Sequence, residues 1–131
     1  MANYPKDFRY SKDHEWVHPQ TGGKARVGIT EFAQRQLGDI VFVELPKVGD
    51  KFEANRPFGS VESVKAVSEL YAPAAGTVSA INDGLNDEPE LINTDAHYDG
   101  WIIELKLTKA AELDTLLSAD EYEAYLAEEP A

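Results

Sequence analysis

The sequence predicts a mainly β fold, a sandwich or barrel of short strands, with one short helix near residues 31–37 and helical character at the C-terminus. Three observations predict it. Short runs rich in Val, Ile, Phe and Tyr recur at close intervals between residues 14 and 107, separated by Gly, Pro, Asn and Asp breakers. One compact stretch carries both a helix start and a helix stop. Beyond Thr108 the apolar spacing changes from the strand period to the helical one. Frequent short strands with turns between them build sandwiches and barrels, because alternating residues must bury one face against another sheet.

Taken in order, residues 1–12 read as a polar lead-in. His14–Val17 and Ala25–Ile29 read as two strands, with Pro19 to Lys24, including Gly22-Gly23, as the turn. In Thr30 to Gly38, Thr30 can cap the helix, Phe32, Ala33, Gln36 and Leu37 supply an inward stripe, and Gly38 can adopt the left-handed stop conformation. Residues 40–45 form an apolar strand and Pro46–Asp50 a turn. Further strands are expected over 51–54, 58–64, 66–71, 76–81 and 100–107. Ala110, Leu113, Leu116 and Leu117 follow helical spacing, and Ser118 with Glu121 fits a capping box that opens a last helix. A faint echo of Gly38-Asp39-Ile40-Val41 in Gly76-Thr77-Val78-Ser79 suggests two similar halves. The 131 residues suit one domain, with a helical tail at about 109–128.

Composition excludes several functions. Twelve basic against 24 acidic side chains give a net charge of −12, and the cations are scattered, so a phosphate backbone or an anionic lipid surface is repelled. No nucleic-acid or membrane partner is expected. Cysteine is absent, which removes disulfides, thiol nucleophiles and thiolate metal ligation. The 43% of hydrophobic residues suffice for a core, yet no apolar run approaches the roughly 18 residues of a membrane span. A retained Met1 followed by no presequence predicts a bacterial-type cytoplasmic protein.

Conventional catalytic motifs are missing: no phosphate-cradling glycine loop, no nucleophile elbow, no Ser-x-x-Lys. His14 and His18 are four apart, but on a strand that spacing separates them along one face, so they read as surface or half-buried side chains. His97 lies in a polar loop with no partner visible in sequence. Asp83, Asp87, Glu88 and Glu90 crowd one loop without a calcium-loop pattern and read as solvated acids. The segment 58–71 differs, because it reads strand, tight turn, strand, with Lys65 at the turn between Ser63-Val64 and Ala66-Val67. A lysine at a hairpin tip is solvated and mobile. That makes it a poor catalyst alone and a good attachment point for an acyl group. On composition and turn chemistry alone an ordinary exposed lysine is the better reading.

A series of strings settles how that lysine is read. They are His14-Glu15-Trp16-Val17, Val27-Gly28-Ile29-Thr30, the run Leu37 to Pro46, Glu62-Ser63-Val64-Lys65-Ala66, Tyr71-Ala72-Pro73, the run Pro89 to Asn93 and Gly100-Trp101-Ile102-Ile103. In this order, over about residues 8–127, they resemble the H proteins of the glycine cleavage system. The resemblance implies a lipoyl/biotinyl-type flattened barrel-sandwich hybrid and lipoic acid in amide linkage on Lys65. It implies a shuttle rather than an enzyme, carrying an aminomethyl group from glycine decarboxylase (P protein) to aminomethyltransferase (T protein), with reoxidation by dihydrolipoyl dehydrogenase (L protein). A lipoate ligase or a lipoyl/octanoyl transferase would modify the lysine, and the carrier would be a monomer.

Related lipoyl domains place a Glu three residues before the lysine and a Gly eleven after. Glu62 and Gly76 occupy those positions here, as features read by the modifying enzyme or as hairpin geometry. Family members park the loaded arm in a cleft, for which Glu15 is a candidate to meet the amine. Many members carry a His where this chain has Phe32, so a histidine role is not carried over; Phe32 is expected to pack against the arm or the core. Two other roles fit the same fold. One is a relay of lipoyl groups to other lipoyl domains. The other is a biotinyl-type carrier, although Val64 and Ala66 stand where biotin carriers usually have Met.

Overall fold

The structure, a computed structural model, describes residues 4–128. Nine strands form two antiparallel sheets: β1 (Arg9–Tyr10), β2 (Glu15–Pro19), β3 (Lys24–Ile29), β4 (Ile40–Glu44), β5 (Lys51–Phe52), β6 (Pro57–Ser63), β7 (Val67–Tyr71), β8 (Gly76–Ile81) and β9 (Ile103–Leu107). The larger sheet has the order β1-β2-β3-β9-β8-β5, and the smaller β4-β6-β7. The helices are α1 (Glu31–Leu37), α2 (Gly84–Asp87), α3 (Leu91–Thr94) and α4 (Ala119–Glu128). The expected mainly β sandwich, short helix and C-terminal helix are all present. The two strands that echo one another in sequence, β4 and β8, lie in opposite sheets.

The core forms where the inward faces meet. Val27, Ile29, Val78, Ile103 and Leu105 of the larger sheet pack with Val43, Phe58, Val61 and Leu70 of the smaller one. Each of these side chains is almost fully removed from water, which is the main driving force for closing the two sheets on one another. Leu85 and Ile92 seal one end of this core. They explain why the acidic segment 83–94 is not a plain loop: α2 and α3 are single turns that deliver one apolar side chain each, while Asp83, Asp87 and Glu88 stay exposed.

The N-terminal lead-in is more structured than its polar composition predicts. Tyr4, Phe8 and Tyr10 are buried with Trp16 and Tyr122 in an aromatic cluster on the outer side of the larger sheet. Tyr10 stacks on Tyr122 with ring centroids 4.8 Å apart, and the main chain of Tyr10 exchanges two 2.8 Å hydrogen bonds with that of Leu117. The rings were legible as residues but not as a cluster, because Tyr122, which packs on both Tyr4 and Tyr10, lies more than a hundred positions away.

One further departure lies between β9 and α4. The stretch over 110–117 is a 3-10 turn, Ala110–Thr115, rather than an α-helix; it ends where Leu113 is buried against Val17, Ala25 and Ala74. The capping box that follows forms as expected, with the Ser118 N–H donating to Glu121 Oε1 at 2.8 Å and the Glu121 N–H to Ser118 Oγ at 3.2 Å.

Candidate functional site

The site is assembled at the end of the smaller sheet. β6 and β7 run antiparallel with Glu62 opposite Val67, and the chain reverses through Val64 and Lys65. Neither has a positive φ, so the turn lacks the primed geometry that glycine-containing hairpins use. Ser63 compensates. Its N–H donates to the Ala66 carbonyl at 2.8 Å, and its Oγ accepts the N–H of Lys65 and of Ala66, each at 3.1 Å. A serine hydroxyl thereby takes the place of a main-chain carbonyl and pins the tip. The Val64 N–H donates to the Asp39 carbonyl at 3.0 Å and ties the tip to the start of β4.

Behind the tip stands the end of α1. Thr30 caps this helix by accepting the Ala33 N–H at 3.2 Å, and Gly38 ends it with φ +83°, as the sequence predicts. A β-carbon on Gly38 would lie 3.6 Å from Lys65 Cε and 3.7 Å from Val64 Cγ2, so the lysine stem runs over this glycine. Asn93 fixes the corner. Its Oδ1 accepts the Ile40 N–H at 2.8 Å, and its amide donates to Gln34 Oε1 at 2.8 Å and to the Gly38 carbonyl at 3.0 Å. Gln34 is therefore the buried side chain of α1. Of the expected inward stripe, Ala33 and Leu37 pack on the core in part, Phe32 is half-buried and Gln36 is exposed. Periodicity could not assign Gln34, because a buried amide needs a partner supplied from Asn93, far along the chain.

Lys65 itself is exposed, and among the described residues no carboxylate pairs with its ammonium. Glu62 is exposed on the outer face of β6. Gly76 lies elsewhere, buried in β8 between Phe52 and Leu107. A β-carbon there would come within 2.6 Å of the Lys106 carbonyl oxygen, so its lack of a side chain serves a close strand approach.

On the inner side of the edge strand β7 a cleft of about 320 Å³ opens, lined by Asp13, His14, Phe32, Ala33, Gln36, Leu37 and Ser68. Its wall includes Leu37, the residue before the Gly38 over which the lysine stem runs, but not Lys65 itself. Phe32 stands in its wall with its ring 4.8 Å from that of His14. His14, expected at the surface or half-buried on a strand, is half-buried but lies outside the strand. It precedes β2 with φ +70°, and its Nδ1 lies 2.8 Å from Tyr122 Oη, which is also 2.8 Å from Thr30 Oγ1.

Glu15 follows His14 in the chain but does not line the cleft. It is 2% exposed; its Oε2 accepts the Tyr71 N–H at 3.1 Å, and its Oε1 accepts the Ser11 hydroxyl at 2.8 Å. Burial pushes its carboxyl up to about 8, against the lowering effect of those two hydrogen bonds. His97, expected to lack a partner, is buried and its Nε2 accepts the Glu31 N–H at 3.1 Å. His18 is half-buried, stacked on Phe8 at 4.2 Å and 3.3 Å from Asp7. No group of three or more potential metal ligands occurs among the described residues, and no helix among them is long and apolar enough to cross a membrane.

The residues present fit a long acyl arm in amide linkage. The lysine is exposed and unpaired, its tip is held by main-chain and hydroxyl contacts rather than by its own side chain, and a cleft opens one residue from the glycine its stem crosses. The family model described as glycine cleavage H-protein matches residues 8–129. The glycine cleavage system H protein of Halalkalibacterium halodurans is 53% identical over 129 residues, covering 98% of this chain and 100% of its own. That of Acidobacterium capsulatum is 57% identical over 126 residues, covering 96% of each. The crystal structure of a glycine cleavage system H protein from Mycobacterium marinum superposes with a TM-score of 0.86 at 40% identity, over 95% of this chain and 99% of that one.

Proposed function

The chain belongs to the glycine cleavage H-protein family, and from that premise we propose that it is the non-catalytic shuttle of the system, a single-domain monomer of the bacterial cytoplasm that carries lipoic acid in amide linkage on Lys65. The observation that carries this reading is the hairpin tip, where an unpaired, exposed lysine sits on a turn whose geometry does not depend on the lysine. Lipoic acid, when attached, supplies a dithiolane that takes up an aminomethyl group and an electron pair and gives them up again.

The chain's own residues tether, orient and shelter. Lys65 holds the arm to the body, so that each partner meets it at a high effective concentration. Ser63 and Asp39 keep the tip in one orientation as the arm moves. Phe32 offers an apolar wall to the arm's methylenes in the place where many family members have a histidine, and Glu15, next in the chain to the cleft-lining His14, is the buried acid that a cationic amine would meet. A positive charge arriving there favours the ionised carboxylate, so Glu15 is expected to release a proton as the amine lodges. Glu62 is exposed beside the tip, where a lipoate ligase or lipoyl/octanoyl transferase reaches it, whereas Gly76 acts through the close packing of β8 on β9. The partners in turnover are glycine decarboxylase, aminomethyltransferase and dihydrolipoyl dehydrogenase.

The test is the intact mass of the protein purified from its native host, followed by mapping of the modified peptide. A lipoyl increment on Lys65 is the expected result. A biotinyl increment, or a bare Lys65 in cells that are degrading glycine, overturns the reading.

A further inference from the structure

Among the described residues the large apolar side chains left exposed are Val41, Phe42, Val48, Val64, Val67 and Tyr98. Four of them gather at one end of the smaller sheet. Phe42, Glu62 and Val67 are register partners across β4, β6 and β7, and residues directly opposite in antiparallel strands point to the same face. Because Val43 and Val61 of the same strands are buried in the core, that face is the outer one. Val64 follows at the tip, and a register shift between Ile40 and Phe42 leaves Val41 exposed as well. Phe42 is 54% exposed, Val64 67% and Val67 66%. One step further from the tip the next cross-strand row is Glu44, Ser60 and Glu69. The face thus carries an apolar strip beside Lys65 and three carboxylates, Glu44, Glu62 and Glu69, all exposed, with no cation in either row.

We infer that this outer face of β4, β6 and β7 is the docking surface on which an arm-accepting enzyme seats itself; the inference rests on the shuttle reading above. The occupant is a protein surface with an apolar recess ringed by Lys and Arg at the mouth of its active-site channel. Three features select it. A contiguous exposed apolar strip, unlike apolar residues exposed singly, marks an interaction surface. The carboxylates beside it, on a chain of net charge −12, attract a basic rim and repel an acidic one. The strip is contiguous with Lys65, so seating the face aims the arm into the channel rather than along the partner's surface. Acylation of Lys65 also removes the one cation at the tip. The modified face is therefore purely acidic and apolar, and a basic partner distinguishes it from the unmodified one.

The test uses the full chain, lipoylated to the same extent in every variant as judged by intact mass, and glycine decarboxylase as the partner. The rate of glycine decarboxylation is measured against carrier concentration for wild type, Phe42→Ser/Val67→Ser, Phe42→Glu, and Val48→Ser as an exposed apolar control off this face. The expected result is a KM raised about tenfold or more in the double variant and in Phe42→Glu, with kcat within twofold and Val48→Ser like wild type. Glu44→Gln/Glu69→Gln should raise KM at low salt and flatten its dependence on salt. An unchanged KM in both Phe42 variants, while wild type turns over, overturns the docking face and leaves the shuttle reading standing. No turnover with lipoylated wild type overturns the shuttle reading and this inference with it. Sedimentation of the free carrier adds one more outcome: a wild-type dimer that Phe42→Ser/Val67→Ser dissolves would give the face to a second copy and overturn the inference.

Discussion

The Glu15 carboxylate reaches from the larger sheet to the smaller one and accepts the main-chain N–H of Tyr71 at 3.1 Å, 56 residues away in sequence. Almost no water reaches it, so its protonation is coupled to folding. Its carboxyl sits at about 8 in the folded chain against an ordinary 4.5. The folded state therefore holds a proton that the unfolded state gives up between those two values. The stability linked to this group is complete below about pH 4.5 and is lost as pH rises towards 8, at no more than about 1.4 kcal/mol per pH unit. Glu15→Gln keeps an acceptor for Tyr71 and a polar partner for Ser11 but cannot ionise. Urea denaturation from pH 5 to 8 should show a flatter profile for Glu15→Gln than for wild type, with the variant the more stable of the two at pH 8.

Ser63 supplies what the Val64-Lys65 turn lacks. Ser63→Ala leaves the amides of Lys65 and Ala66 to water and should cost about 1 kcal/mol, since the tip is exposed and each such bond is worth little net. The larger effect is expected on modification, with the initial rate of lipoylation of Lys65 falling severalfold. Ser63→Thr keeps the oxygen and should restore that rate. Equal rates for Ala and wild type would show that the modifying enzyme does not need a preset turn.

Asn93 joins α1 to β4 by three hydrogen bonds. Asn93→Ala removes all three and strands the Gln34 side chain, which is buried. A loss of about 2–3 kcal/mol in chemical denaturation is expected, most of it from the unsatisfied partners. Amide hydrogen exchange should rise at Gly38, Asp39 and Ile40 before it rises elsewhere in the smaller sheet.

Gly28 is the floor on which an indole rests. A β-carbon there would fall 2.6 Å from Trp16 Cζ2 and 2.8 Å from Nε1. The ring is not free to yield, because its Nε1 donates to the Ala96 carbonyl at 2.9 Å. Gly28→Ala should destabilise the fold by about 2–3 kcal/mol as an overpacked site, with a change in tryptophan fluorescence of the folded state. Gly22→Ala, where nothing lies within 4 Å, isolates the backbone cost of a positive φ without a clash.

The parts of the fold legible in the sequence are those set by neighbours in sequence. Thr30 and Gly38 bracket α1, Ser118 and Glu121 open α4, and β8 begins at Gly76 and ends at Ile81 as its pattern predicts. Lys65 stood out in the sequence only because the strings around it resemble a family; its turn chemistry alone favours an ordinary exposed lysine. What was illegible depends on distant partners. Gln34 is polar and buried because Asn93 meets it, His97 is held by the Glu31 amide, and Tyr4, Phe8 and Tyr10 are core residues because α4 covers them. The Ser63 hydroxyl had a readable signal, a serine just before a tight turn, and Asn93 lay within a matched string without an assigned role.

The aromatic cluster also orders events in time. Tyr4, Phe8 and Tyr10 precede Tyr122, which packs on Tyr4 and stacks on Tyr10, by more than a hundred residues, so they leave the ribosome well before it. Until α4 emerges, the outer side of β2 has no cover, and the rings around Trp16 form a sticky surface on a nascent chain. The inner core has all its buried residues by Leu105, so the two layers mature separately: the central sheets can close during synthesis, whereas the outer aromatic belt is fastened only once α4 has been made.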